Sequence, residues 1–367
     1  MIRQTITNST ILMRVMCVVV FFIFAFCYLY FYQADIIAMA QHVLSDGQTR
    51  YEPLIGAVLL TISLSLLQLL VFAITRLYKR AHAFTYFPSM LALLLLTCAR
   101  PAAVGTGITL GPWPWLAPLL LVCFAWAEWK FYQYQPYEPK MISTGIDSQL
   151  LWTNLLTLFI MAMLVGWFSN HNDILHYRMR MENLMARGRY ADALKVGRRS
   201  LQTDSSLVML RAAALAHEGT MGDHLFEYPL VGGSEALRPD GITTKSIIFP
   251  SLEIQRYAAS AKAADDYRLC TYLLQKDLNG FVRSVSKCYD LEKDQLPKHY
   301  REALTLYMHK SPNPQISFVD DVLEVDYADM RKLEQDNPHD VMRYNALHDA
   351  YGNTYWYYFK YATLNDK

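Results

Sequence analysis

The sequence predicts an all-α protein in two parts: a polytopic transmembrane helical bundle in residues 1–170 and a water-soluble domain of helical hairpins in residues 171–367. Two observations predict this division. Long apolar runs with few charges fill the first part, whereas acidic and basic residues are interspersed at ordinary globular density in the second. The change near residue 170 indicates that lipid surrounds the first part and water the second.

Five apolar segments meet or approach the roughly 20 residues that a helix needs to cross a bilayer. They cover residues 11–32, 53–77, 84–99, 113–131 and 150–168. The first could also be a signal peptide, since Ala38-Met39-Ala40 resembles a cleavage site, but its length and the later spans favour an uncleaved helix. The third is short, so it is either a tilted span or a re-entrant segment.

The lysines and arginines of the short loops predict the orientation, because these residues prefer the cytoplasmic side. With five spans, one side carries Arg3, Arg14, Arg76, Lys79, Arg80, Lys130 and Lys140, and the other carries Arg50 and Arg100. The amino terminus is therefore predicted in the cytoplasm and the soluble domain outside it. Arg178, Arg180 and Arg187 weigh mildly against this orientation, and a third segment that does not cross would invert it.

Polar residues within the predicted spans are few: Ser63, Ser65, Gln68, Asn154 and Thr157. They either hydrogen-bond neighbouring helices or line a path for a substrate, and the first role is the more common one. Asp, Glu, Lys and His are missing from the middle of every predicted span, which disfavours proton-coupled or ion-coupled transport.

Composition and motifs narrow the function further. The formal net charge of +1 argues against a nucleic-acid partner, because phosphate binding requires a concentrated basic surface. The sequence has neither a phosphate-binding glycine loop nor a nucleophile elbow, so it predicts no catalytic residue and no cofactor. Cys270 and Cys288 could form a disulfide in an oxidising compartment or stay reduced within the core.

Three clusters combine residue types that bind metals: His217, Glu218, Asp223 and His224; His171, Asp173 and His176; and Asp320, Asp321, Glu324 and Asp326. Glycines interrupt any helix through the first cluster, and the second lies where polar residues follow a span. The third lacks the glycine-turned loop of a calcium site. No metal site is predicted.

Residues 182–201, ENLMARGRYADALKVGRRSL, are typical of the turn and second helix of a tetratricopeptide repeat. Gly188 would end the first helix tightly, and Ala193, after Tyr190, would let the second helix approach closely. Gly222 follows Gly188 by the 34 residues of that repeat. These four residues are the predicted repeat-packing positions, although the next unit departs from the pattern at His224.

The segment NTYWYYFKY is dense in aromatic residues, which bury large areas while keeping a polar tip. Tyr355, Trp356, Tyr357 and Tyr358 could form a partner-binding patch, or they could cap the last hydrophobic face of the helical array. Capping is favoured, because a stack of helices otherwise exposes its final face to water.

Together with LLQKDLNGF and LPKHYREAL, this segment resembles an uncharacterised family of bacterial inner-membrane proteins that join several spans to a tetratricopeptide-repeat-like periplasmic domain. The resemblance implies a multi-pass protein of the inner membrane with a periplasmic carboxyl-terminal domain. It implies no activity.

These features favour a membrane-anchored scaffold or assembly protein that binds a protein or peptide through its extracytoplasmic helical surface. Membrane lipid is the other predicted partner. The alternative is a membrane enzyme or transporter that acts on a lipid or glycan, with a site between residues 100–115 and the soluble domain. A glycosyltransferase of this kind would need an acidic residue in an early loop, and Asp35, Asp46 and Glu52 are the candidates there.

Overall fold

A computed structural model describes residues 2–75, 77, 79–102, 107–134, 148–291 and 295–361. The chain forms two compact units, Met1–Asn172 and Asp173–Lys367. Nearly all described secondary structure is helical, and the strands form one short antiparallel pair of two residues each. The all-α prediction is confirmed.

The first unit contains six α-helices, a 3-10 segment and the strand pair. These are α1 (Ile2–Cys27, continued by a π-helical turn Tyr28–Tyr32), α2 (Ala34–Leu44), α3 (Pro53–Thr75), the 3-10 segment (Lys79–Tyr86), α4 (Phe87–Thr97), β1 (Arg100–Pro101), β2 (Ile108–Thr109), α5 (Trp113–Tyr134) and α6 (Gln149–Phe168). Helix α2 occupies a stretch that the sequence analysis treated as a loop. Its apolar residues are buried, which accounts for a helix between two spans.

Three helices of the described residues are long and apolar enough to cross a membrane: Thr10–Tyr32, Pro53–Thr75 and Gln149–Phe168. They match the first, second and fifth predicted spans. The third predicted span is not one helix, because a 3-10 segment of 8 residues precedes an α4 of only 11. The fourth predicted span is long enough, because α5 has 22 residues. Its tryptophans, its prolines, Glu128 and Lys130 lower its mean hydropathy, so it is not one of these three helices.

Buried amides fix the 3-10 segment in place. The Asn154 side chain of α6 accepts a hydrogen bond from the Ala83 backbone N–H at 2.7 Å and donates to the Lys79 carbonyl at 3.0 Å. Gln68 of α3 donates to the Thr85 hydroxyl at 3.0 Å. Since a 3-10 turn leaves backbone groups poorly paired, these side chains satisfy polar groups that burial would otherwise leave unpaired.

The described part of the second unit contains eleven α-helices. They are α7 (Asp173–Met185), α8 (Tyr190–Ala193), α9 (Ser205–Glu218), α10 (Met221–His224), α11 (Ser251–Ala258), α12 (Ala264–Leu274), α13 (Leu278–Cys288), α14 (Lys298–Lys310), α15 (Asp321–Asp336), α16 (Asp340–Tyr351) and α17 (Tyr355–Tyr361). Two short 3-10 helices, Leu225–Glu227 and Gly233–Leu237, lie between α10 and α11. Helix α9 is buried along most of its length, from Ser206 to Ala216. It is the central helix against which α7, α8 and α11 pack.

Two glycines end helices in the same way. Gly188 has φ +71° and Gly219 has φ +70°. After α7, Gly188 N–H donates to Met185 O and Arg189 N–H to Leu184 O, and the same pair of bonds recurs at Gly219. This is the Schellman motif, in which a left-handed residue satisfies the last carbonyls of a helix.

Replacing Gly188 with alanine is expected to lower the free energy of unfolding by about 1 kcal/mol, because a Cβ is strained at positive φ. No atom lies within 4 Å of the position where that Cβ would stand, so backbone strain is the only cost. Gly188→Asn is the matched variant and is expected to lose less, since asparagine tolerates this conformation. Urea titration with pulse proteolysis of the detergent-solubilised chain measures both, and equal losses would contradict this explanation.

A buried carboxyl group accepts hydrogen bonds from the connector between α10 and α11. Glu182 of α7 accepts hydrogen bonds from the backbone N–H groups of Ile247, Ile248 and Phe249 at 2.6, 2.5 and 3.3 Å. Burial raises the pKa of Glu182, although Arg178 and the three N–H donors oppose that rise. One side chain therefore satisfies three successive backbone donors of a segment without helix or strand.

Asp240 organises an exposed turn of the same connector. Its carboxylate accepts hydrogen bonds from the Thr243 hydroxyl and from the N–H groups of Ile242, Thr243 and Thr244. The Thr243 hydroxyl and the backbone donors hold the pKa of Asp240 well below its usual range.

This pKa depression predicts an acid-sensitive turn. Because the folded-state pKa lies below the unfolded value, the stabilisation is fully present above the ordinary aspartate pKa of about 4 and is lost as pH falls through the folded pKa. Amide exchange of residues 240–245 is therefore expected to speed up below about pH 4 relative to the rest of the connector. In Asp240→Asn the exchange should be faster at neutral pH and lack this extra acid dependence; an unchanged acid dependence would contradict the role of Asp240.

Candidate functional site

Three aromatic rings from three helices form a stack on the second unit. The His217 ring of α9 lies between Tyr190 of α8 and Tyr257 of α11. Its centroid is 4.1 Å from that of Tyr190, with the planes 5° apart, and 3.6 Å from that of Tyr257, with the planes 15° apart. The Tyr257 hydroxyl donates to the Ala216 carbonyl at 3.3 Å, which fixes one side of the stack.

All three residues of the stack are partly exposed. Burial lowers the pKa of His217, with Glu253 opposing and Lys262 reinforcing the shift. The imidazole is therefore neutral at pH 7, and both of its faces are covered by tyrosine. Aromatic groups with an apolar body and a polar tip are enriched where proteins bind proteins.

The four predicted repeat-packing residues have different structural roles. Tyr190 belongs to the stack, and Ala193 is fully buried in a core cluster with Met185 and Leu210. Gly188 ends α7 as described. Gly222 does not end a helix: it lies within α10, where an added Cβ would stand 2.7 Å from Pro297 Cβ.

The tetratricopeptide-like hairpin is not seen at residues 182–201. The predicted second helix is a single turn, Tyr190–Ala193, and Gly197 then takes φ +60° in a series of turns. The glycine that matches Gly188 in geometry is Gly219, so the turn-to-turn spacing differs from the 34 residues that the sequence suggested. Spacing alone could not distinguish a glycine needed for its φ from one needed for close approach.

The terminal aromatic segment is built into the fold. Tyr355, Trp356 and Tyr357 are buried, and Tyr358 is partly buried. The hydroxyls of Tyr355 and Tyr358 donate to the carbonyls of Leu273 and Leu274 at the end of α12, at 3.2 and 3.0 Å. This burial favours capping over the partner-binding interpretation of these four residues.

Glu302 of α14 is the polar centre beneath that segment. Its Oε2 lies 2.9 Å from His299 Nδ1 and accepts the Tyr355 N–H at 2.7 Å, while its carbonyl accepts Trp356 Nε1–H at 2.7 Å. Both His299 and Glu302 are buried. The sequence analysis missed this pair, since HYRE within an amphipathic helix gives no sign of which side chains turn inward.

The candidate metal clusters separate in the structure. Asp223 accepts the Lys298 backbone N–H at 2.7 Å, His224 Nδ1 lies 3.2 Å from Glu227, and His217 belongs to the stack. Asp320 caps α15 through the Leu323 N–H. Across the described part of the chain, no three His, Cys, Asp or Glu residues stand close enough to hold a metal ion.

Cys270 and Cys288 are free thiols. Cys270 is fully buried, with its Sγ 3.6 Å from the Tyr300 hydroxyl, and burial raises its pKa above the usual range. Cys288 Sγ accepts a hydrogen bond from Arg268 at 3.1 Å. The Tyr300 hydroxyl of α14 donates to Asp266 of α12 at 2.9 Å, so polar contacts link α12 to both α13 and α14.

The polar residues of the predicted spans serve different roles. Asn154 and Gln68 hydrogen-bond the 3-10 segment, which is the helix-bonding role. The hydroxyls of Ser63, Ser65 and Thr157 each donate to the carbonyl four residues earlier in their own helix. His82, which the apolar count placed outside the spans, is buried, with its ring centroid 5.1 Å from that of Phe72.

Fold and site together define a class: an α-helical protein with membrane-length helices in its first unit and a helical second unit that carries a partly exposed aromatic stack. The chain matches the model of a family of unknown function, DUF6057, over residues 102–254 and 251–362. Because these matches cover more than half of its length, the protein belongs to that family. No curated protein matches it. No solved structure matches it either.

Proposed function

We propose that this protein is a multi-pass membrane scaffold whose second unit binds a protein or peptide at the Tyr190–His217–Tyr257 stack. The observation that supports it is the stack itself, three partly exposed aromatic side chains that three helices bring into ring contact. The surface makes and breaks no bond. The proposed setting is a bacterial inner membrane, with the amino terminus in the cytoplasm and the second unit, a set of helical hairpins related to tetratricopeptide repeats, in the periplasm.

Five crossings are proposed for the first unit, with Lys79–Thr97 as the third. Its 3-10 residues rise about 2.0 Å each and its α-helical residues about 1.5 Å each, which together give about 32 Å, close to the bilayer core. Near the start of α6, Asn154 bonds Lys79; just beyond its end, the Asn170 N–H donates to Thr97 O at 3.0 Å. The segment therefore runs the same distance as α6, which is itself long enough to cross.

Helix α5 is the proposed fourth crossing. Its first residue, Trp113, has its ring centroid 5.9 Å from that of Phe168 at the end of α6. Phe124 then stacks on Phe87, and Phe131 meets Phe84 at 5.3 Å, at the level of the 3-10 segment. The outward side of α5 is apolar and exposed, as at Trp115, Val122 and Trp126, which suits contact with lipid.

Reporter insertions in the full chain test this topology. A paired cytoplasmic and periplasmic reporter after Leu77, Gly111 or Tyr134 is expected to read inside, outside and inside. If Lys79–Thr97 turned back within the membrane, the reporters after Leu77 and Gly111 would read the same side. That result would refute the five-crossing topology.

Site-specific photo-crosslinking tests the binding proposal. A benzophenone amino acid at Glu253, exposed beside the stack, is expected to give a discrete adduct when the full chain is irradiated in its native membrane. The same probe at Lys332, exposed on α15, is the matched control and is expected to give none. Equal adducts at both positions, or none at Glu253, would refute the proposal.

The stack residues provide a second arm. Tyr190→Ala with Tyr257→Ala is expected to abolish the adduct at Glu253, provided that urea titration shows the second unit still folded. Mass spectrometry of the adduct identifies its class. A lipid or glycan adduct in place of a polypeptide would refute the scaffold and support the membrane-enzyme alternative.

A further inference from the structure

The stretch that enters the second unit carries an excess of positive charge. Residues 173–204 contain seven lysines and arginines against four acidic residues. Residues 320–340, around α15, show the opposite bias, with eight acidic residues against two basic ones. A nearly neutral net charge for the whole chain therefore conceals two oppositely charged regions of the same unit.

Several of the positive charges stand on the surface. Arg180, Arg187, Arg198 and Arg199 are exposed, and these four residues are called the basic surface. Arg198 lies 3.5 Å from Glu227, and Arg187 donates to Asn183. In the described part of the chain, Arg180 and Arg199 have no carboxylate within ion-pair distance.

The turn that carries Arg198 and Arg199 lies against the first half of α7. An added Cβ on Gly197 would stand 3.0 Å from the ring of Tyr177. A few residues on, Asp204 pairs with Arg178 at 3.2 Å. These two contacts place the turn beside the part of α7 that carries Arg178 and Arg180, although the sequence separates the two segments by about twenty positions.

Beneath this turn lies a further cation. Arg211 of α9 is 1% exposed; it donates to Gly197 O at 3.3 Å and to Thr203 Oγ1 at 3.4 Å, both neutral acceptors. Its guanidinium carbon lies 5.0 Å from the Tyr228 ring centroid, and among the described residues it has no carboxylate within ion-pair distance. A buried cation without a paired anion adds to the positive potential of the surface above it.

We propose that the basic surface binds the anionic headgroups of the membrane in which the first unit is anchored. Only four residues, 169–172, separate the last apolar helix from α7, so the basic surface follows the membrane directly in sequence. A basic side chain is attracted to an anionic bilayer within a Debye length of roughly 8 Å. The anionic headgroups repel the acidic α15. This inference rests on the membrane insertion proposed above and is independent of the peptide partner.

Hydrogen exchange of the full chain in nanodiscs tests it. One preparation contains phosphatidylcholine alone, and the other an equal mixture with phosphatidylglycerol. Exchange of residues 178–204 is expected to be about five-fold slower in the anionic nanodiscs, and high salt should abolish the difference. The α15 segment should show no slowing.

Charge-matched variants sharpen the test. Arg180→Gln, Arg198→Gln and Arg199→Gln together are expected to remove the lipid-dependent slowing. The control replaces the exposed Arg256, Arg283 and Lys287 with glutamine, which removes the same charge elsewhere in the second unit and should leave the slowing intact. An equal loss in both variants would overturn the proposal, because net charge alone would then explain the effect.

Two further outcomes distinguish a failure of the headgroup proposal from a failure of the membrane-scaffold proposal. A chain recovered in nanodiscs that exchanges equally in both lipids overturns the headgroup proposal and leaves the membrane scaffold standing, whereas a chain that does not enter nanodiscs refutes both. Inorganic phosphate is added to neutral nanodiscs as a third arm. If it slows residues 178–204 as much as the anionic lipid does, the surface binds free phosphate and the membrane-docking proposal fails.

Discussion

Replacing Glu302 with alanine is expected to lower the free energy of unfolding of the second unit by about 3–5 kcal/mol, within the range for leaving two buried polar groups without their hydrogen-bond partner at about 1–3 kcal/mol each. The change leaves His299 Nδ1 and the Tyr355 N–H without their shared acceptor in a site from which water is excluded. Since small domains are stable by only about 5–15 kcal/mol, this loss would be a large part of the unit's stability. Pulse proteolysis in urea, with fragments of residues 173–361 followed by mass, measures it.

Two matched variants make this result specific. Glu302→Gln keeps an oxygen acceptor for Tyr355 and should lose clearly less than alanine does. Glu324→Ala removes a partly exposed carboxylate, close to His309 in the structure, and should change stability by no more than about 0.5 kcal/mol. If Glu302→Ala and Glu324→Ala unfolded at the same urea concentration, the Glu302 network would have no structural role.

Replacing Gly222 with alanine is expected to lower the free energy of unfolding by about 2 kcal/mol, within the usual range for overpacking a core. The added Cβ would lie 2.7 Å from Pro297 Cβ and 2.8 Å from Tyr300 Cζ. Pro297 is rigid and Tyr300 is fully buried, so neither side chain can move aside without shifting α14. The measurement is again the urea midpoint of the second unit.

A size series distinguishes this cost from backbone strain. At Gly222, leucine should cost considerably more than alanine, because each added atom enters occupied space. At Gly188, which faces open space, the cost should depend little on size beyond Cβ. A flat series at Gly222 would show that α10 and α14 separate easily and that their close approach is unimportant.

The apolar composition predicted three membrane-length helices well, because a run of about twenty apolar residues has few alternatives. It failed to predict the 3-10 segment, since this segment depends on buried amides far away in sequence. Asn154 hydrogen-bonds the backbone of Lys79 and Ala83, and no sequence pattern near residues 79–86 indicates that partner. The count of apolar residues alone therefore made the third segment look short.

The second unit shows a similar limit. Gly188 could be assigned correctly, because a glycine after an amphipathic helix commonly takes a left-handed conformation. The stack of Tyr190, His217 and Tyr257 could not, since it joins three helices whose relative positions the sequence does not encode in any local pattern. From the sequence, Tyr190 was a predicted repeat position, His217 belonged to a candidate metal cluster, and Tyr257 carried no prediction.

The anchoring of Tyr355 and Tyr358 on α12 also constrains biosynthesis. The bonds to Leu273 and Leu274 join residues 82 and 84 positions apart. Glu302 also accepts hydrogen bonds from Tyr355 and Trp356 of the same helix. While the ribosome is still adding amino acids before residue 355, α12 and α14 lack the contacts that α17 makes with them in the structure. The second unit must therefore mature after its last aromatic residues emerge, and a nascent chain stalled before them would be a target for chaperones and proteases.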